Sequence, residues 1–241
     1  MKLSRRFTTK INFFLDQFIP PVIRDSKLFS YLPFKFFFKN KIKVFLNFKD
    51  RAPFLSEQGF ADIYKETGEY MIQRKTDLND KCVQKILESL IGPEVLEAGC
   101  GRGFLAFRMG ERHSITATDM VIDDSLVDMA GSKVRFIKAN LERLPFSGNQ
   151  FETVVCAHTL EHIQNIVAGI HELRRVAKKR LIIVVPKQRP YRYTFDLHLH
   201  FFPYIHSFLI LMRPDLKKFK YVCQEVGGDI FYMEDKIDIR D

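Results

Sequence analysis

Three groups of residues in this sequence have side chains and spacings suited to chemistry. The first is the run Val95-Leu-Glu-Ala-Gly-Cys-Gly-Arg-Gly103. Its glycines at 99, 101 and 103 allow the main chain to come within contact distance of a ligand where a Cβ would collide. Read as a strand turning into a helix, the run also offers helix-terminal amides to that ligand. Glu97 precedes the first glycine by two residues, where a carboxylate can hold the charged amino group of an amino-acid ligand. Asp119 lies 119 − 97 = 22 residues further on, at the end of the next apolar run, where a carboxylate can accept from ribose hydroxyls. The second group is His158-Thr-Leu-Glu161-His162. The third is Asp196-Leu-His198-Leu-His200, preceded by Arg189, Tyr191, Arg192 and Tyr193.

Each group has rival readings. A nicotinamide site would want G-x-G-x-x-G, whereas position 104 is Phe and the third glycine comes one residue early. Alone, the turn could be nothing more than a tight strand-to-helix connection. The pattern H-x-x-E-H is also that of inverted zinc peptidases, but those place both imidazoles and the carboxylate on one helix. Here the segment spans a strand end and a helix start beside a nucleotide-type crevice, which argues against a peptidase. That leaves His162, with Glu161 and His158 beside it, as a general base or substrate contact, as a metal ligand, or as a residue that caps the helix and lines the pocket. His198 and His200 alternate with Leu197, Leu199 and Phe201, as on an extended segment with one polar face. They either line a substrate pocket or are hydrogen-bonded imidazoles of a buried loop. His200, Arg192 and Tyr193 are the candidate substrate contacts, able to hold an anionic or sugar-like group.

The elements that must position these residues are legible from hydrophobic period. Strands are expected at Glu94–Ala98, Ser114–Thr118, Val134–Lys138, Phe151–Ala157 and Arg180–Val185, with helices at Phe104–Glu111, Asp124–Ala130 and Gln164–Lys178 between them. An amphipathic helix carrying Leu78, Cys82, Val83, Ile86, Leu87 and Leu90 should open at an N-cap around Thr76-Asp77 and stop at Gly92-Pro93. After a helix at Tyr204–Met212, strands at Lys218–Glu225 and Asp229–Met233 should meet at Gly227-Gly228 in a tight hairpin. This alternation is the mark of an α/β fold with a mostly parallel sheet.

From about Leu78 to the C-terminus the sequence resembles the class I S-adenosylmethionine-dependent methyltransferases, close to their small-molecule subgroup. Glu97–Gly103 resembles the first motif of that family and Asp119 its ribose acid. Asn140-Leu-Glu-Arg-Leu-Pro-Phe146 resembles the segment that contacts adenine, and Phe151–Ile163 the fourth strand and the start of the next helix. Asn140 and Glu152 depart from the family, which usually has Asp at both places; Asn140 keeps an acceptor for adenine. The resemblance implies a Rossmann-like sheet closed by an antiparallel hairpin, S-adenosylmethionine as cofactor, and cofactor contacts at Glu97, Ala98, Gly99, Cys100, Gly101, Gly103, Asp119, Met120, Asn140, Leu141 and Ala157. Some O-methyltransferases of ubiquinone synthesis and of small-RNA 3′ ends carry E-x-x-E-H in place of His158–His162 and bind a divalent metal. By that resemblance the metal set would be His158, Glu161, His162 and His198.

Charge divides the chain into an expected helical extension, residues 1–75, and a cofactor domain, residues 76–241. Residues 1–49 contain 11 Lys/Arg and two acids, 11 − 2 = +9, which is the whole net charge. The first 60 residues also hold 13 of the 24 Phe. Short helices are expected at 2–18, 22–31 and 34–48, broken by proline. The basic start resembles a signal peptide, but Asp16, Pro20-Pro21 and the lack of a small-residue cleavage site argue against one. Four scattered cysteines suit reduced thiols in a cytoplasmic protein. Basic residues interleaved with Phe rather than Tyr, ahead of a neutral core, argue for a small-molecule, lipid or glycan acceptor and against nucleic acid. They also point to peripheral contact of residues 1–49 with the inner face of a membrane, through a helix over Tyr31–Phe48 with Phe34, Phe37, Phe38 and Phe45 entering the acyl boundary. The alternative is that these helices pack as a lid over the cofactor domain or as a dimer contact.

Overall fold

The computed structural model describes residues 10–11, 13–15, 18–68, 70, 74–129, 131–193 and 195–237. Two compact units emerge: Met1–Asp77 with Arg189–Phe201, and Leu78–Gln188 with Phe202–Asp241. The segment Arg189–Phe201 therefore groups with the N-terminal helices, although in sequence it interrupts the second unit.

In the first unit the helices are α1 (Pro21–Arg24), α2 (Lys27–Phe38), α3 (Ile42–Arg51) and α4 (Glu57–Thr67). Most of the helix expected at 2–18 lies outside the described residues; those described between Lys10 and Phe18 are helical. Ser26 caps α2 by accepting from the Phe29 amide at 3.1 Å, and Ser56 caps α4 by accepting from Gly59. Pro33 does not break the chain as expected; α2 runs through it, and the break falls at Lys39–Lys41, where Lys39 has φ 44°. The bond that Pro33 cannot donate would reach Phe29, on the exposed side of the helix, so its loss is cheap. Phe34, Phe38 and Phe45, expected to face a membrane, are instead buried, with Phe38 stacked on Phe45 at 3.5 Å between centroids. Phe195 fills the space beside them, 4.6 Å from Phe34 and 5.4 Å from Phe38.

Polar contacts fasten the rest of Arg189–Phe201 to the same helices. Arg24 donates to the Pro190 carbonyl at 2.9 Å and lies 4.2 Å over the Tyr191 ring, while the Arg192 amide donates to Asp25 at 3.0 Å. Lys49 donates to the Tyr191 carbonyl and sits 4.2 Å over Phe201, and burial lowers its ammonium to about 8. The alternation expected from Asp196 to Phe201 fails at Leu197, whose φ of 55° puts Leu197 and His198 both in the interior.

The second unit runs α5 (Asp80–Ser89), β1 (Glu94–Ala98), α6 (Phe104–Gly110), β2 (Ser114–Asp119), α7 (Asp124–Met129), β3 (Val134–Lys138), β4 (Phe151–Ala157), α8 (Ile166–Val176), β5 (Ala177–Pro186), α9 (Ile205–Met212), β6 (Phe219–Val226) and β7 (Asp229–Lys236). The strands form one seven-stranded sheet in the order β3-β2-β1-β4-β5-β7-β6, parallel except where β7 pairs with β5 and with β6. β1, β4 and β5 are apolar on both faces because helices cover both, and the two resulting cores are built on Leu160, Leu173 and Phe208 on one side and Ile86, Leu105 and Met109 on the other. The strand order reverses between β1 and β4. That point, outside the carboxyl ends of the strands, is where open α/β sheets hold ligands.

The cap of α5 is Asn79 rather than Thr76 or Asp77. Its side chain accepts from the Cys82 amide at 2.9 Å and donates to Val226 and to Asp229 at 3.0 and 2.8 Å, so one residue starts the helix and holds the β6–β7 turn. In that turn Gly227 and Gly228 have φ of 61° and 91°, as a two-residue hairpin requires. A Cβ on Gly227 would lie 2.4 Å from Asn79 Oδ1. Gly227→Ala should therefore lower stability by about 1–2 kcal/mol through left-handed strain alone, read as a fall in the urea midpoint. An unchanged midpoint would show that the turn relaxes.

Candidate active site

Two loops meet at the switch point, each leaving the carboxyl end of a central strand. β1 ends in Glu97 and Ala98, and the chain then turns through Gly99, Cys100 and Gly101. The amides of Gly99 and Cys100 both donate to the Thr118 carbonyl of β2, at 2.7 and 2.9 Å. The amide of Gly101 donates to Asp119 Oδ2 at 2.8 Å, and Val121 donates to Asp119 Oδ1 at 3.2 Å. Asp119 thus holds the glycine loop in place while it stands at the crevice edge. A Cβ at Gly101, where φ is 50°, would meet nothing within 4 Å, so the loop faces open space. At Gly99, by contrast, a Cβ would lie 2.1 Å from Thr159 Oγ1. Thr159 donates to the Gly99 carbonyl at 3.2 Å and ties the loop after β1 to the loop after β4. No motif marks Thr159, and the sequence reading missed it.

Glu97 is buried, and its Oε2 has no hydrogen-bond partner among the described residues. Burial, reinforced by the nearby Asp119, pushes its carboxyl well above the usual carboxylate range. Burial raises Asp119 as well, against the pull of the amides that it accepts from. Two neighbouring carboxyls that both resist ionisation form a pocket suited to a cationic ligand with donor hydroxyls.

The remaining expected contacts differ in what they can offer. Ala98 and Cys100 are buried in the turn, and Met120 and Ala157 are half-buried at the strand ends. Asn140 Oδ1 already accepts from the Glu142 amide at 2.9 Å, so one of its acceptor positions serves the turn. The Leu141 side chain belongs to the core, close enough to Gly169 that a Cβ there would lie 2.6 Å from it.

After β4 the chain enters a turn, and α8 begins only at Ile166, capped by Asn165. Glu161 and His162 accordingly lie in the turn and not on a helix, which removes the helix-capping reading of His162. His158, at φ 52°, points Nε2 to Asp229 Oδ2 at 3.4 Å and Nδ1 to Glu161 Oε1 at 3.7 Å; His162 Nε2 lies 4.0 Å from the same oxygen. Carboxylate and imidazole alternate along Asp229, His158, Glu161 and His162. Glu161 and Asp229 are buried, whereas His162 is the half-exposed end of the row. Asp229 is the second residue that the sequence reading missed. It pairs with Pro186 at the carboxyl end of β5, a register that no local pattern reveals.

The other candidates belong to the first unit. His198 is buried with Nε2 3.4 Å from Asp196 Oδ2; His200 and Tyr193 are half-buried; Arg192 is exposed, its guanidinium 5.7 Å from the Tyr193 ring.

Residues 96–185, spanning both loops, match the family model described as a methyltransferase domain. That stretch is similar to the methyltransferase domain family, and the match covers little more than a third of the chain. A ubiquinone/menaquinone biosynthesis C-methyltransferase of Shewanella woodyi is 26% identical over 153 residues, covering 56% of this chain and 59% of the relative. A 2-phytyl-1,4-naphtoquinone methyltransferase of Trichormus variabilis is 31% identical over 98 residues, 36% of this chain and 43% of the relative. The chain thus spans less than two thirds of these curated relatives. Among solved structures, the Burkholderia thailandensis 1,6-didemethyltoxoflavin-N1-methyltransferase matches with a TM-score of 0.56 at 20% identity, over 76% of this chain and 87% of that one, a likeness of fold. Glu97 Oε2 and Asp119, beside the open Gly101, are acceptors of the kind that an ammonium group and ribose hydroxyls require.

Proposed function

We propose that the protein transfers the methyl group of S-adenosylmethionine to a small amphipathic acceptor, with His162 as general base and Glu161 as its positioning residue. The observation that carries this reading is Glu97 Oε2, a buried carboxylate oxygen without a partner among the described residues, at the switch point of the sheet. When bound, the cofactor supplies a methyl carbon on a sulfonium. The acceptor would form its bond to that carbon as the sulfur–carbon bond broke, with a thioether as the leaving group. His162 takes the acceptor proton, Glu161 steadies the resulting imidazolium, and His158 links Glu161 to Asp229. The acceptor atom that best suits an imidazole base is a hydroxyl oxygen. The Shewanella relative, described as a C-methyltransferase, favours a ring carbon as a second reading.

The test incubates purified protein and methyl-13C cofactor with quinol, lipid, glycan and RNA fractions. Label in a small or lipid-linked product supports the proposal, and the carbon-13 shift of the transferred methyl tells oxygen from carbon. Label in RNA alone, or in none of the fractions with cofactor bound, rejects it. A chelator divides the deprotonation step: activity indifferent to EDTA assigns it to His162, and loss restored by Mg²⁺ or Zn²⁺ assigns it to an ion held by Glu161 and His162.

A further inference from the structure

α2 is apolar on two opposite faces. Ser30, Phe34 and Phe38, four residues apart, form the buried face. Leu28, Leu32 and Phe36, also four apart, are 83%, 71% and 76% exposed, with Phe29 beside them. Val22 of α1 is 82% exposed as well. One apolar face is enough to seat a helix on its own unit, and a second, exposed apolar stripe of this kind marks an interaction site. Next to the outer stripe runs a second one, Lys27, Tyr31 and Lys35, and exposed Lys39 ends the helix. Between Lys27 and Lys49 there are six lysines and no acid.

We infer that the outer stripe of α2 inserts into the interface of an anionic lipid bilayer. Leucine and phenylalanine enter the acyl boundary while the flanking lysines reach the headgroups, their methylene stems lying along the apolar layer. Charge selects the occupant. A second copy of the chain would bring a net +9 against +9 over residues 1–49, whereas an acidic leaflet neutralises the lysines. No described helix is long and apolar enough to cross a membrane, so the contact is superficial. It involves neither cofactor nor acceptor, and its test is independent of methyl transfer.

The full chain is sedimented with vesicles of phosphatidylcholine alone or with phosphatidylserine added, without cofactor, at low and high salt. Binding should be at least roughly tenfold stronger to the acidic vesicles and should fall as salt is raised, because the attraction is screened. The double variant Leu32→Glu, Phe36→Glu changes exposed positions and should lose about tenfold in vesicle binding with its circular dichroism unchanged. Equal binding to neutral and acidic vesicles by the wild-type protein overturns the inference, and that reading does not depend on the variant. So does a double variant that binds vesicles like wild type but sediments as a smaller species, which would make the stripe a contact between copies.

Discussion

Turnover of the His162→Ala protein should fall by roughly 100-fold or more while cofactor affinity stays nearly unchanged, because a general base acts in the transition state and does not hold the ground state. The geometry sharpens the expectation. His162 is the half-exposed member of a row in which Asp229–His158, His158–Glu161 and Glu161–His162 are 3.4, 3.7 and 4.0 Å apart. Glu161→Gln removes the charge that steadies the imidazolium yet keeps the side-chain volume. It should shift the pH profile of kcat along with lowering it, a change that loss of packing alone would not produce. Asp229→Asn keeps the volume and an acceptor near Asn79, and should have a smaller effect in the same direction. Wild-type turnover in His162→Ala would return this histidine to a pocket-lining role. Stopped-flow or single-turnover measurement keeps the comparison on chemistry and not product release.

The second large effect concerns the cofactor. Asp119→Ala should weaken S-adenosylhomocysteine binding by roughly 5- to 150-fold, the equivalent of about 1–3 kcal/mol for ribose hydroxyls left unpaired. Because Asp119 also accepts from Gly101 and Val121, Asp119→Asn should recover part of the loss and Asp119→Ala should loosen the glycine loop besides. Glu97 adds a pH dependence. Without a cationic partner its carboxyl is raised, so the folded protein keeps a proton that the unfolded chain releases near pH 4.3. That stabilises the cofactor-free protein at low pH, and the contribution is lost as pH climbs through the raised folded value. A bound ammonium favours the carboxylate and expels the proton. Affinity should therefore rise with pH across this window and level off above it, with proton release seen by calorimetry in buffers of different ionisation enthalpy. Glu97→Gln should abolish the release and flatten the profile. Wild-type protein that binds the cofactor with no proton release would remove Glu97 from the amino-group site, and folded protein that binds no cofactor at all would sink the functional assignment.

Local pattern carried much of this molecule. The central strands β1, β4 and β5 were legible because an element buried on both faces reads as a continuous apolar run, and the glycine loop was legible because a backbone that turns at positive φ favours residues without a Cβ. The Gly227-Gly228 turn was equally plain, since a positive φ at two successive positions leaves few other residues. Where competing local signals met, tertiary context chose between them. Proline at 33 predicts a break, yet burial of Phe34 and Phe38 on one continuous face outweighs one missing bond on the exposed side. Periodicity finds that a helix has an apolar face but cannot say which of two apolar faces is the inner one. Of the Phe residues assigned to the surface, Phe34, Phe38 and Phe45 were therefore interior and Phe37 half-buried, while Leu28, Leu32 and Phe36 lie outside.

The sequence by itself determined the sheet and the glycine loop after β1, both written in contiguous runs whose period or composition is dictated by backbone geometry. Only the tertiary structure decided which distant side chains stand together. The antiparallel register of β7 on β5 carries Asp229 to His158, Asn79 reaches across to the β6–β7 turn, Thr159 joins the two loops, and Arg189–Phe201 gathers onto the N-terminal helices. Those contacts depend on strand pairing and packing between residues up to 167 positions apart, and no local window contains the energy that selects them.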